Sequence, residues 1–145
     1  MIESDVIKHL KNDATLDALL GATASNSKIY PEIGTKIQQK TVPFIVYSVS
    51  ELGRGWIDLV DADQIQFKVI HTNYTIAGNI RARLKFLLEI QDELRVGVNP
   101  PTSIASDKFY IYDGIQSGGP EFKDTPVKRF IRIRIFDFLY RRKAP

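Results

Sequence analysis

Pro43-Phe44-Ile45-Val46-Tyr47-Ser48-Val49-Ser50 and, further along, Asp63-Gln64-Ile65-Gln66-Phe67-Lys68-Val69-Ile70-His71 are the stretches from which the fold is read. The first is rich in β-branched and aromatic residues and is apolar on both parities at its start, which predicts a central strand. The second alternates, with Ile65, Phe67 and Val69 on one parity and Gln64, Gln66 and Lys68 on the other, the period of a strand with one buried face. The two are expected to pair as an antiparallel hairpin. Their connection, Glu51 to Ala62, is long for a hairpin, where about two to five residues are usual. It also holds the chain's only tryptophan, Trp56.

Working outward, Ile2 to Leu20 reads as helix, with Ile2, Val6, Leu10, Leu16, Leu19 and Leu20 at helical spacing and Gly21 as the stop. Asn12-Asp13 can split it in two, because the Asp13 carboxylate can accept from the free amides of the turn that follows. Ala22–Lys28 is small and polar, hence loop, and Ile29-Tyr30-Pro31 is a short extended piece. After the hairpin, Thr75–Leu94 places Ile76, Ile80, Leu84, Leu87, Leu88 and Leu94 on one helical stripe, with Asn73 as its cap. Lys108–Ile115 alternates as a strand, Gly118-Gly119-Pro120 opens a further long loop, and Arg129–Tyr140 is the last strand. In that strand Ile131, Ile133 and Ile135 share one parity and Arg132 and Arg134 the other. Then the pattern slips, and Phe136, Phe138 and Tyr140 take the arginine parity. Two readings stay open: a β-bulge that re-aims the chain by one residue, or an outer face buried by something outside the domain. Helices separated by runs of strands predict an α+β domain: a largely antiparallel sheet, mixed in one alternative, of four to five strands with two helices on one face and long hairpin loops.

At 145 residues, with 43% hydrophobic and 26% charged residues, the whole chain, 1–145, is expected to form one domain. It has no cysteine, which removes a disulfide framework, a thiolate metal site and a cysteine nucleophile. No apolar run reaches the roughly 20 residues needed to span a bilayer, and the charged N-terminus is unlike a signal peptide. A soluble protein with no membrane role is expected. The net charge of +3 is unevenly placed. Lys128, Arg129, Arg132, Arg134, Arg141, Arg142 and Lys143 stand against the single acid Asp137, leaving 13 basic and 16 acidic residues elsewhere. A basic terminal segment thus follows a mildly acidic body.

Catalytic patterns are missing. There is no nucleophile elbow, and His9 and His71 fall on a helix surface and at a strand end. Gly53-Arg54-Gly55 lacks the following glycine and Lys-Ser/Thr of a phosphate loop and reads as a turn. Asp58, Asp61 and Asp63 could offer oxygen ligands to a hard cation, but their spacing matches no EF-hand and a solvated acidic loop end is the simpler reading. The expectation is no enzyme activity, no cofactor and no metal. Trp56, Ile57, Leu59 and Val60 form an apolar cluster in the hairpin connection. If it projects, it is the kind of patch that marks protein–protein contact, with Trp56 as anchor. In the last strand, arginines beside aromatics suit either a soluble or partner-facing strand edge or contacts to single-stranded nucleic acid through Arg129, Arg132, Arg134, Arg141 and Arg142.

The ordered series Leu16-Asp17-Ala18-Leu19-Leu20-Gly21, Lys28-Ile29-Tyr30-Pro31, Val42-Pro43-Phe44-Ile45-Val46-Tyr47 and Gln64-Ile65-Gln66-Phe67-Lys68-Val69, with a closing Arg/aromatic strand, resembles the tail terminator proteins of long-tailed bacteriophages. These are also called tail completion or tail-to-head joining proteins. The similarity runs over most of the chain. It implies a small α+β structural protein of the virion, made in the host bacterial cytoplasm. Such a protein assembles as a ring, usually a hexamer, at the head-proximal end of the tail tube. Its partners would be further copies of itself, the tail tube protein and the head–tail connector, with DNA passing through the ring without specific binding. A ring needs heterologous contacts, in which one patch meets a different patch on the next subunit. The residues assigned to such contacts are Arg54, Trp56, Ile57, Leu59, Arg129, Arg132, Arg134, Phe138, Tyr140, Arg141 and Arg142. On that assignment Trp56→Ala impairs assembly more than folding, and reversing Arg132 and Arg134 to Glu disrupts the ring at low salt.

Overall fold

The computed structural model describes residues 2–34, 36, 40–54, 61–89, 104–124 and 129–143. In chain order the elements are α1 (Glu3–Lys11), α2 (Ala14–Leu20), β1 (Ile29–Pro31), β2 (Phe44–Arg54), β3 (Asp61–His71), α3 (Tyr74–Leu88), β4 (Phe109–Gly118), β5 (Glu121–Asp124) and β6 (Arg129–Arg142). They make an α+β fold. The sheet order is β1-β2-β3-β6-β4, with β5 also pairing with β6. β1 runs parallel to β2 and every other pair is antiparallel, so the sheet is mixed. Among the described residues the expected two helices are three, because the first divides at Asn12-Asp13, and the strands number six.

The division of the first helix is a capping event. The Asp13 carboxylate accepts from Leu16 N–H at 2.8 Å, and Gly21 closes α2 at φ 66°, a left-handed position that costs glycine nothing. The same carboxylate takes a forked pair of bonds from Arg83 of α3, at 3.0 Å from Nε and 2.7 Å from Nη2. One short side chain thus starts α2 and clamps it to α3. The Arg83 hydrogen bonds hold the Asp13 carboxyl below its usual 3.8. A folded-state value below the unfolded one contributes stability that is complete above 3.8 and is lost as the pH falls through the folded value. Asp13→Ala should therefore lower stability by about 2 kcal/mol at neutral pH, from cap and pair together. Thermal melts of the variant and the parent should converge at acid pH. A difference that stays constant down to pH 2 would contradict the ion-pair contribution.

β2 and β3 form the expected hairpin, in longer strands than the residue pattern suggests. Glu51, Gly53 and Arg54 pair with Asp63, Ala62 and Asp61, so most of the expected connection is ladder. The register shift between Glu51 and Gly53 explains why: a bulge breaks the alternation from which a strand is read. At the other end of α3 the helix closes at Leu88 rather than Leu94. Its last turn is held from outside, where the imidazole Nε2 of His9 on α1 meets the Leu87 carbonyl at 3.1 Å. The expected loop after Gly118 instead contains β5, which continues along the side of β6 where β4 leaves off: Gly118 pairs with Ile135 and Glu121 with Arg132.

β6 resolves the parity slip in a way neither reading anticipated. It pairs with β3 in one unbroken register from Asp61↔Tyr140 to His71↔Phe130, so it carries no bulge against β3. The irregularities against its other neighbour fall at Ile111/Asp113 and Gln116/Gly118 of β4. Phe136, Phe138 and Tyr140 face the helices and share a core with Ile65, Phe67, Val69, Leu16, Ile80 and Leu84. No outside partner is needed to bury them. The opposite face carries a smaller cluster of Phe44, Val46 and Ile70 with Tyr30, Val42 and Ile131 against it. That second cluster is why β2 begins apolar on both parities.

Candidate interaction surface

The basic residues of β6 alternate with the strand, so they divide between its two sides. Arg129 is half-buried; it donates to the Lys40 carbonyl at 3.3 Å and lies 5.7 Å from the centre of the Phe44 ring. Arg132 is on the helix side, donating to the Tyr74 carbonyl at 3.4 Å with its guanidinium 4.5 Å from the centre of that tyrosine's ring. Arg134 shares this side and is half-buried. Arg141 and Arg142 are exposed, and Arg141 and Lys143 both approach the Tyr110 ring, at 5.6 and 5.1 Å. These are cation–π contacts of the ordinary exposed kind. The described arginines therefore make no single basic stripe of the sort that tracks a nucleic-acid backbone.

Several assigned contact residues need correction. Phe138 is fully buried and Tyr140 is 5% exposed, so neither offers a surface to a partner. The aromatic parity at the end of β6 is core. Arg132 sits against the start of α3 and Arg134 is half-buried on the same side, so reversing them to Glu strikes the fold as well as any assembly; the exposed Arg141 and Arg142 are the cleaner probes. Arg54 lies in β2. Its side chain and those of Trp56, Ile57 and Leu59 fall outside the described residues, as do Asp58 and Leu94.

Asp61 and Asp63 belong to β3 and not to a loop tip. Asp63 is 1% exposed and is used internally, accepting from Ile2 N–H at 3.4 Å and from the Tyr140 hydroxyl. Burial first, then the charge of Asp63 and its hydrogen bond, push the Tyr140 phenol well above its ordinary range. The pair ties the start of α1 to the end of β6. A signal for it existed: Asp63 shares the parity of Ile65 and Phe67, which marked it as inward-facing. Among the described residues no group of three His, Asp or Glu is placed to hold a metal ion. Both histidines have structural partners, His9 as above and His71 through Nδ1, which accepts from Asn73 N–H at 3.1 Å. Burial and then the nearby Lys28 charge hold His71 below its usual value.

Among the described residues, the sheet's outer borders pair with no further strand and one face of the sheet packs against no helix. An open groove of about 660 Å³ runs beside Tyr47 along α1, where Ile7 forms apolar wall and Lys8 and Lys11 are charged rim. On the helix-free face, beyond the small cluster, Ser48, Ser50, Gln64 and Gln66 give a polar half, while Tyr110 and Ile115 of β4 stand 48% and 40% exposed. Gln64 donates to Asp137 across β3 and β6 at 2.9 Å.

The geometry of the described residues thus defines a class: an α+β domain with a six-stranded mixed sheet and its helices on one side. Among solved structures the fold is shared with a chain described as "Virion of native gene transfer agent (GTA) particle", with a TM-score of 0.65 over 97% of this chain and 94% of that one. The two are 11% identical, so the likeness is one of fold. No family model matches the chain, and no curated protein matches it in sequence.

Proposed function

We propose that this chain is a structural component of a phage-like virion, acting as a tail terminator. Copies would assemble as a ring, with six the expected number, on the head-proximal end of the tail tube. There the ring would end tube polymerisation and present the docking surface for the head connector. The observation that carries the reading is the end-to-end fold likeness to a chain of a gene transfer agent virion. The ordered motif series supports the finer assignment, and so does the structural use of Asp13, Arg83, Asp63, His9 and His71 in caps, an ion pair and ties between elements. The role is mechanical, with partners in the tube protein, the connector and further copies of itself. DNA would pass through the ring, touched by charge and not read by sequence.

Deleting the gene in the producing strain tests the assignment. The expected result is tails of irregular, excessive length and heads left without tails, restored by the wild-type chain supplied in trans. Tails of normal length joined to heads would contradict it. Trp56→Ala, supplied the same way, should restore joining poorly while the purified variant melts close to the parent. Equal loss of both would make the tryptophan core.

A further inference from the structure

We propose that neighbouring copies join edge to edge, with β4 of one subunit pairing antiparallel to the outer border of β2 in the next, so that the sheet continues across the boundary. The inference rests on the ring reading above and specifies its contact. β1 covers only Ile45–Tyr47 of β2, and the Glu32 amide closes that pairing at the Tyr47 carbonyl, 2.8 Å away. From Ser48 to Arg54, no strand among the described residues pairs with the outer side of β2. Peptide groups alternate sides along a strand. Because Ile45 N–H reaches the Lys28 carbonyl on that side, Val49 and Glu51 present their backbone groups there too. Ser50 and Glu51 are exposed. β4 is the opposite border, paired with β6 on one side and with none of the described strands on the other. A row of unpaired peptide groups is a template for another strand.

Direction, level and charge all suit the union of these two borders. β2, β3, β6 and β4 follow one another antiparallel, so β4 runs opposite to β2. Copies related by rotation about an axis along the strands then place β4 antiparallel against β2 of the next copy, a heterologous contact that repeats around a ring. The ladder also sets the level: Ser50 pairs with Gln64, Gln64 with Asp137, and Asp137 with Ile115. Within the regular run of β4 between its two bulges, Gly114 to Gln116 therefore stand level with Glu51 to Val49, the end of the regular run of β2. At the end of the sheet where Asp61 meets Tyr140, the β2–β3 side carries Glu51 and Asp61 with one base, Arg54, and the β6–β4 side carries Arg141, Arg142, Lys143 and Lys108 with one acid, Asp107, so the first is net acidic and the second net basic. Rotation brings the acidic side of one copy against the basic side of the next, which favours head-to-tail order.

The chain has no native cysteine, which makes a direct test available. Within one copy Ser50 and Ile115 are three strand spacings apart, about 14 Å, beyond the roughly 7 Å between Cα atoms that a disulfide tolerates. Ser50→Cys with Ile115→Cys should yield, on mild oxidation, a ladder of covalent multimers rising to ring size. Each single variant should give nothing above a dimer. Glu51→Pro is the second arm: its lost N–H points outward, so the β2–β3 ladder is kept, while self-association measured by light scattering should weaken at least tenfold. If the wild-type chain forms rings but the double cysteine variant gives no ladder and Glu51→Pro still assembles, edge pairing is wrong and the ring stands. A wild-type chain that stays monomeric at every concentration would sink the ring reading itself, and this inference with it.

Discussion

Gly114→Ala should lower the stability of the isolated domain by about 2–3 kcal/mol, the range for forcing atoms into a packed interior. For a chain of this size that is a fall in melting temperature of about 6–10 °C. Gly114 is buried in β4 where the end of α3 comes down on the sheet, and a Cβ there would lie 2.1 Å from the Leu88 carbonyl oxygen and 3.0 Å from the Phe138 ring. The first obstacle is backbone, so it cannot rotate away. Gly78→Ala is the control. Its Cβ would meet only the Arg132 guanidinium at 2.2 Å, the far end of a flexible side chain. Since alanine favours a helix interior over glycine by about 0.5–1 kcal/mol, that variant should melt within a few degrees of the parent. Scanning calorimetry of the two variants decides the matter. Equal melting points would mean that α3 does not press on β4 as described.

Phe138→Ala should cost about 3–5 kcal/mol, the range for emptying a buried aromatic site. Phe138 is fully exposed to the core and not at all to solvent, tilted against Phe136, which meets Phe67 edge to face with ring centres 6.1 Å apart. Denaturant unfolding at a concentration where the chain is monomeric checks this, because an interface residue would leave the monomer's midpoint unchanged. Gly114 and Phe138 touch the same space, so their effects should not add. Part of the cost of Gly114→Ala should vanish once the ring is gone, while the part due to Leu88 persists.

The contrast between these sites shows what residue patterns carry. The strands around Ile45, Phe67 and Val69 and the caps at Asp13 and Asn73 were legible, because alternation and capping are local and each residue states its own role. The end of β6 was not. Whether Phe136, Phe138 and Tyr140 face helices or solvent depends on where α3 lies across the sheet, a tertiary fact that no run of neighbours encodes. The extra ladder at Glu51–Arg54 was hidden by a bulge, and β5 by the Gly118-Gly119-Pro120 break before it. The arginines of the last strand looked like one surface because they are close in sequence. Strand alternation sends Arg132 and Arg134 to the helix side of the sheet, Arg132 to the start of α3, and leaves Arg141 on the other side with Tyr110. The edge contact was illegible for a different reason. It depends on how short β1 is relative to β2, three residues against eleven.

The mild positive charge also takes on a spatial meaning. At one end of the sheet the acidic residues of the β2–β3 side stand across from the basic residues of β6 and β4. Such an arrangement orients a head-to-tail assembly and loses strength as salt rises, with the Debye length near 10 Å at 0.1 M. A ring held also by strand pairing should survive moderate salt, and Arg141→Glu should make it salt-sensitive in the reverse sense, weakest at low ionic strength.

Electron microscopy of purified particles carrying a tagged copy of this chain tests the central claim most directly. The account predicts label and density for a closed ring of identical subunits at the head-proximal end of the tail tube. Label elsewhere in the particle, or intact head-joined tails that lack the chain, would contradict it.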